Sequence, residues 1–324
     1  MAIPPKFLIQ TAQFVWKTMW QTMMSQLTPS DRQGNFQRVE SEFRGSIGSE
    51  KFPAAKNRYR LYVGLTCPWA HRTMVTRVLK GLEDCIDMQV AIADVSVGGW
   101  RLEGGPTGSG SMKELYQLGK PGYTGRCSVP ALWDCETQSI VNNESSEIIV
   151  MLNEHFNAWA KYPERDLHPE ALREEGDRLN DLIYRTVNNG VYRCGFATSQ
   201  EAYDQAATEL FETLDMLNKR LGDRRYLLGN ELTLCDVRLF TTLVRFDVVY
   251  HGLFKCDRRR IRDYENLWGY LRDIYQQPGI AETCPLDIIK QEYYSSLFPL
   301  NPGGIIPLGI DPQDLMLPHH RQNQ

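Results

Sequence analysis

No run of the 324-residue chain is apolar enough to span a bilayer, because its most hydrophobic stretch, residues 1–26, is broken by Lys6, Gln10, Gln13, Lys17 and Gln21. That stretch also lacks a basic segment followed by a clean apolar core, which speaks against a secretory leader. The chain has no CxxC and no HxxxH pair, and its six histidines are scattered, so no metal site is expected. Its eight cysteines have no regular spacing, which excludes a disulfide framework and points to a reducing, cytoplasmic compartment. Thirty-six basic against 40 acidic residues leave a net charge of -4, so no nucleic-acid partner is expected, and the thiol chemistry developed below calls for no nucleotide cofactor. Repeats and low-complexity tracts are missing too, which leaves an ordinary globular protein of about two domains.

The pattern of what is present changes near residue 156. Before it, strand-like and helix-like runs alternate: "RYRLYVGLT" (58–66), "PWAHRTMVTRVLKGLED" (68–84), "MQVAIADVS" (88–96), then, after a Gly-rich stretch, "PALWDCE" (130–136), "SIVNN" (139–143) and "ESSEIIVMLNEHF" (144–156). Strand, helix, strand, hairpin and closing helix make a small α/β unit with a mixed sheet. Beyond a linker at 157–168 the periodicity is almost wholly helical, which predicts an all-α second domain over 169–324. The first domain is then 51–156, preceded by an extension over 1–50. Within that extension an amphipathic helix is expected over about Phe7 to Met24, packed on the chain's own body or a subunit, with a membrane surface as the less favoured partner. In "LTLCDVRLF", Thr233 and Asp236 have the spacing of a capping box, with Leu232 and Val237 as its hydrophobic staple.

The chemistry begins at "YVGLTCPWAHRT". If the strand ends near Thr66, Cys67 caps the next helix and Pro68 opens it, a position where its missing N–H costs nothing. A sulfur there faces free N–H groups and the positive end of the helix, both of which favour thiolate over thiol. Position 70 is alanine, so no second cysteine in the motif can form a disulfide with Cys67. A thiol from outside must therefore release any mixed disulfide, which implies a small thiol cosubstrate. "RCSVPALWD" sets Val129-Pro130 at the mouth of a strand, leaving the preceding backbone for a ligand. "NNESSEII" opens a helix with Glu144, Ser145 and Ser146, whose N–H groups and hydroxyls can hold a carboxylate.

Together these pieces resemble thioredoxin-like domains that bind glutathione. From about residue 31 to 310 the chain resembles the glutathione transferase superfamily, and in particular its Xi class, the glutathionyl-hydroquinone reductases. The resemblance is carried by "CPWAHRT", "VNNESSEII", "NNGVYRCGFA", "RFDVVYHGLFK" and "IKQEYYSSLFPLNPGGIIPLG". It implies the transferase fold, a thioredoxin-like α/β domain followed by an all-α domain. It makes Cys67 the nucleophile, Tyr192 the proton donor or acceptor, and Tyr250 and Tyr293 tyrosines near the cysteine, with Tyr294 as the alternative to Tyr293. Trp100, Arg126, Cys127, Ser128, Val129, Glu144 and Ser145 fall at or beside glutathione-binding positions. Glutathione as cosubstrate, a glutathionyl-hydroquinone substrate and a homodimer are implied with them. The sequence departs from the family pattern at "IKQEYY" and in its apolar extension. An Omega-like thioltransferase or dehydroascorbate reductase, and a non-catalytic binding module, are the rival readings.

Overall fold

Tyr59, Leu61, Tyr62 and Val63 are fully buried, and this apolar run forms the central strand β1 (Tyr59–Gly64) of a five-stranded sheet. The computed structural model describes residues 5–97 and 99–322. In the sheet order β3-β2-β1-β4-β5, β1 pairs in parallel with β2 (Asp87–Asp94). The other neighbours are antiparallel: β3 (Gly99–Leu102) with β2, β4 (Ala131–Asp134) with β1, and β5 (Ser139–Asn142) with β4. The crossover that a parallel β1–β2 pair requires is made by α2 (Pro68–Lys80).

Ahead of the sheet, α1 (Pro5–Leu27) buries Met24 and ties Trp20 to the Pro299 carbonyl at 3.1 Å. Its outer turns leave Phe7, Phe14 and Trp16 exposed. No helix among the described residues is long and apolar enough to cross a membrane. The Gly-rich stretch contains structure that the sequence reading leaves out: strand β3, and α3 (Met112–Gly119), capped by Ser111. Helix α4 (Ser145–Glu154) closes the unit beside α2.

The second layer is helical: α5 (Arg173–Ile183), α6 (Gly190–Gly195), α7 (Gln200–Arg220), α8 (Leu234–Arg245), α9 (His251–Leu253), α10 (Glu265–Tyr275) and α11 (Leu286–Ser296). The hydrophobic core follows this division, with one cluster mainly under the sheet and one mainly among the helices. Two wide π-type turns, Tyr184–Asn188 and Phe246–Tyr250, interrupt the helices next to the tyrosines singled out above; such turns recur at functional sites. At the start of α8 the Asp236 carboxylate accepts the Thr233 N–H and hydroxyl, both at 2.8 Å, and also the Leu227 N–H and Tyr270 hydroxyl. The cap thus joins three elements as well as ending a helix.

A strap over residues 28–45 joins the layers. The Thr198 N–H donates to the Gly34 carbonyl at 3.1 Å and the Ser199 hydroxyl to the Gln33 carbonyl at 2.9 Å, fixing one end to the helices. The Asn143 N–H donates to the Phe43 carbonyl at 3.0 Å and the Gly45 N–H to the Val141 carbonyl at 2.8 Å, fixing the other to the sheet edge.

Candidate active site

Cys67 is the residue before α2, with extended backbone at φ -74° and ψ 114°, and Pro68 begins the helix. Its side chain makes no cap bond. The half-buried thiol instead donates weakly to the Val129 carbonyl at 3.5 Å. The Val129-Pro130 peptide is cis. The backbone beside it is braced from below: the Tyr116 hydroxyl donates to the Ser128 carbonyl at 2.8 Å and receives the Asn143 amide at 3.1 Å. Burial, opposed by those bonds, pushes Tyr116 up to about 12, so it is a neutral strut.

Trp100 crosses the end of β1. A Cβ built on Gly64 would lie 2.4 Å from its ring, so glycine is what lets the indole settle there. A narrow pocket of about 90 Å³ brings together Cys67, Trp100, Arg126, Ser128, Val129 and Ser145. Cys127 does not line it; its thiol turns to the Gly125 carbonyl at 3.6 Å. Glu144 caps α4 by accepting the Ser146 N–H at 3.0 Å and faces an adjoining polar cavity of about 600 Å³. Burial pushes its carboxyl up, but the Ser146 N–H and hydroxyl, Arg38 and Ser41 together hold it below the ordinary value.

On the other side of Cys67 opens a chamber of about 460 Å³ with aromatic walls, among them Phe36, Trp69, Trp100, Tyr192, Phe196 and Tyr293. Tyr192 and Tyr293 share a 2.7 Å hydrogen bond, and the Tyr250 hydroxyl stands 3.5 Å and 3.4 Å from them. Burial, reinforced by Tyr293, pushes Tyr192 well above the usual phenol value, and negative charge on Cys67 adds to it. Burial likewise raises Tyr250 and Tyr293. Tyr192 and Tyr293 line the chamber, whereas Tyr250 is fully buried behind them and does not reach it; a phenol kept neutral retains a proton to donate. Tyr294 is buried elsewhere, its hydroxyl close to Gly252, so Tyr293 is the member of the cluster.

The N-terminal domain model of the glutathione S-transferases matches residues 66–155 and the C-terminal domain model matches residues 200–273. Glutathionyl-hydroquinone reductase YqjG of Escherichia coli is 49% identical over 95% of this chain and 96% of its own. Its glutathione-bound structure superposes with a TM-score of 0.81 over 87% of this chain and 97% of that one. Glutathionyl-hydroquinone reductase PcpF of Sphingobium chlorophenolicum is 43% identical over 91% of this chain and 94% of its own. The Xi transferase of Phanerochaete chrysosporium is 45% identical, with a TM-score of 0.83 over 87% of this chain and 99% of that one. The chain belongs to the Xi-class glutathione transferases, the family of the glutathionyl-hydroquinone reductases.

Two features of this Xi-class site escape the sequence reading. The first is a buried brace under the Cys67 loop. Arg245, at the end of α8 and fully buried, donates to the Thr66 carbonyl at 3.1 Å, the Leu65 carbonyl at 2.9 Å and His71 Nδ1 at 2.8 Å. Burial, and then Arg245, push His71 well below its usual value, so its neutral Nε2–H is left to donate to the Thr283 hydroxyl at 2.8 Å. A lone arginine in the apolar run "LFTTLVRFDVVY" is the signal that could have found it. The second feature is the strap, which brings Phe36 and Arg38 into the chamber wall. Arg38 lies face-on over Trp69, 3.5 Å from the ring centroid, with Arg72 also stacked on that ring at 4.5 Å. Nothing in its local sequence marks it.

Proposed function

We propose that the chain reduces glutathionyl-hydroquinones to hydroquinones with glutathione as cosubstrate, the activity for which YqjG and PcpF are named. The observation that carries this reading is a single chamber in which a thiol at a helix N-terminus shares its walls with two mutually bonded phenols. The peptide of the substrate lies in the narrow pocket along Trp100, Arg126, Ser128, Val129 and Ser145, and its ring enters the aromatic chamber. The Cys67 thiolate attacks the glutathione sulfur. A sulfur–sulfur bond forms as the bond from that sulfur to the aromatic carbon breaks, and the ring carbon keeps the electron pair and takes a proton. Tyr192, a neutral donor backed by Tyr293 and Tyr250, manages that proton.

A second glutathione, as thiolate, then attacks the glutathione sulfur of the mixed disulfide. Glutathione disulfide leaves and Cys67 is restored. One carbon–sulfur bond has been reduced, two glutathione units have been oxidised to a disulfide, and the second glutathione has supplied the proton. All eight cysteines are free thiols, which supports a cytoplasmic setting, and family membership favours a homodimer, testable by sedimentation.

The deciding experiment mixes the protein with a glutathionyl-hydroquinone in the absence of free glutathione and follows it by mass spectrometry. One glutathione adduct on Cys67 and one released hydroquinone are expected, and Cys67→Ser should give neither. Full turnover by Cys67→Ser would overturn the assignment.

A further inference from the structure

The chamber that receives the ring is aromatic, yet its wall is not neutral. Apart from the Cys67 sulfur, the charged residues that line it are Arg38 and Arg126, and among the described residues no aspartate or glutamate does. The narrow pocket, by contrast, has Glu40 and Glu42 beside the same two arginines, so the excess positive charge belongs to the ring side. The nearest acid of α11, Glu292, is half-buried outside the lining, and burial raises its carboxyl.

Neither arginine makes a side-chain hydrogen bond or salt bridge among the described residues, although the charge of Arg38 is felt by Glu144. Arg38 is nevertheless fixed in place. Its guanidinium is stacked on Trp69, and the strap carrying it is bonded to the helices at Gln33 and Gly34 and to the sheet at Phe43 and Gly45. A planar guanidinium stacked on an indole keeps its N–H groups in the plane of the stack, the arrangement that grips a carboxylate through two parallel bonds. Between aromatic walls such a bond is stronger than in water. A volume of about 460 Å³ accommodates one substituted aromatic ring.

We propose that the chamber selects glutathionyl-hydroquinones whose ring carries an anionic substituent, a carboxylate above all, and that Arg38 is the residue that reads it. This proposal rests on the reductase activity inferred above. It differs from a role for Arg38 in holding glutathione, because glutathione is common to every substrate of the class.

The test uses the full chain and three substrates: plain glutathionyl-hydroquinone, the same compound with a carboxymethyl group on the ring, and its carboxamide. For the wild type, kcat/KM should favour the carboxylate over the carboxamide by about tenfold or more. In Arg38→Gln that ratio should fall towards one, while Arg38→Lys keeps part of it. A wild-type ratio near one, with the carboxamide turned over well, overturns the proposal and needs no variant to fold. A ratio unchanged in Arg38→Gln, together with a raised KM for glutathione, also overturns it and moves Arg38 to the peptide. Failure of the wild type to reduce any of the three would refute the reductase reading, and the proposal with it.

Discussion

Three phenolic oxygens within 3.5 Å of one another are an uncommon way to spend buried polar groups, and their protonation has a measurable consequence. Burial raises Tyr192 and Tyr250 well above the ordinary 10.0 and raises Tyr293 as well. Between pH 10 and those higher values the unfolded chain has released protons that the native chain still holds. The stabilisation is therefore complete below pH 10 and is lost as the pH rises past it, by up to about 1.4 kcal/mol per pH unit for each such group. Thermal melts of the wild type from pH 8 to 11 should steepen above 10. Tyr250→Phe, fully buried and one titration fewer, should show a shallower alkaline decline whatever its midpoint at pH 8. An identical slope would mean that Tyr250 titrates as it does in the unfolded chain. The same residues show how far single positions could be read. Cys67 was legible because a cap position has its own physics. The tyrosines were legible only through family motifs, because a buried phenol in a helix looks like any other core residue.

At the level of elements, the junction of β1 with α2 was written plainly in "GLTCP", where an apolar run stops and a proline can only begin a helix. Strand β3 was not. It is four residues long in a Gly-rich stretch, too short for alternation to register, and its place at the sheet edge comes from pairing with β2. Yet it carries Trp100 across Gly64. Gly64→Ala sets a methyl group 2.4 Å from the indole, and because the backbone of β1 is held on both sides, the ring must move. We expect the KM for glutathione to rise by about tenfold, on the order of 1.4 kcal/mol, with a smaller change in kcat. A variant with unchanged KM and an intact fold would separate Trp100 from glutathione binding. The two π-type turns were equally invisible, since one extra residue in a helix leaves the apolar pattern almost untouched.

For the molecule as a whole, the division into an α/β layer and a helical layer followed from the change of periodicity near residue 156, but the contacts that lock the layers together did not. Beside the apolar packing of Val75, Leu79 and Ile149 into the helical core, they include buried polar contacts: Arg245 to the Cys67 loop, Arg72 to Asn188 at 2.7 Å, His71 to Thr283. Sequence patterning reports which faces are apolar and says nothing of a polar side chain that finds its partner 116, 179 or 212 residues away. Arg245→Met would strand the Leu65 and Thr66 carbonyls and His71 Nδ1 in the interior. Each orphaned group costs about 1–3 kcal/mol, so the unfolding free energy obtained from chemical denaturation should fall by several kcal/mol. Arg245→Lys should recover only part of the loss, one ammonium being unable to span acceptors spread around a guanidinium. Equal stability of all three proteins would refute the brace.

The strap is neither strand nor helix in its middle, and it meets both layers, Phe36 packing against the helical core and Phe43 against the core under the sheet. One wall of the substrate chamber is thus a replaceable panel. Exchanging Gln37, Arg38 and Val39, with Phe36 left in place against Tyr192 and Phe196, should alter what the chamber accepts while the cysteine, the tyrosines and both cores stay as they are, so a new substrate range can arise in this scaffold without a new fold having to be found.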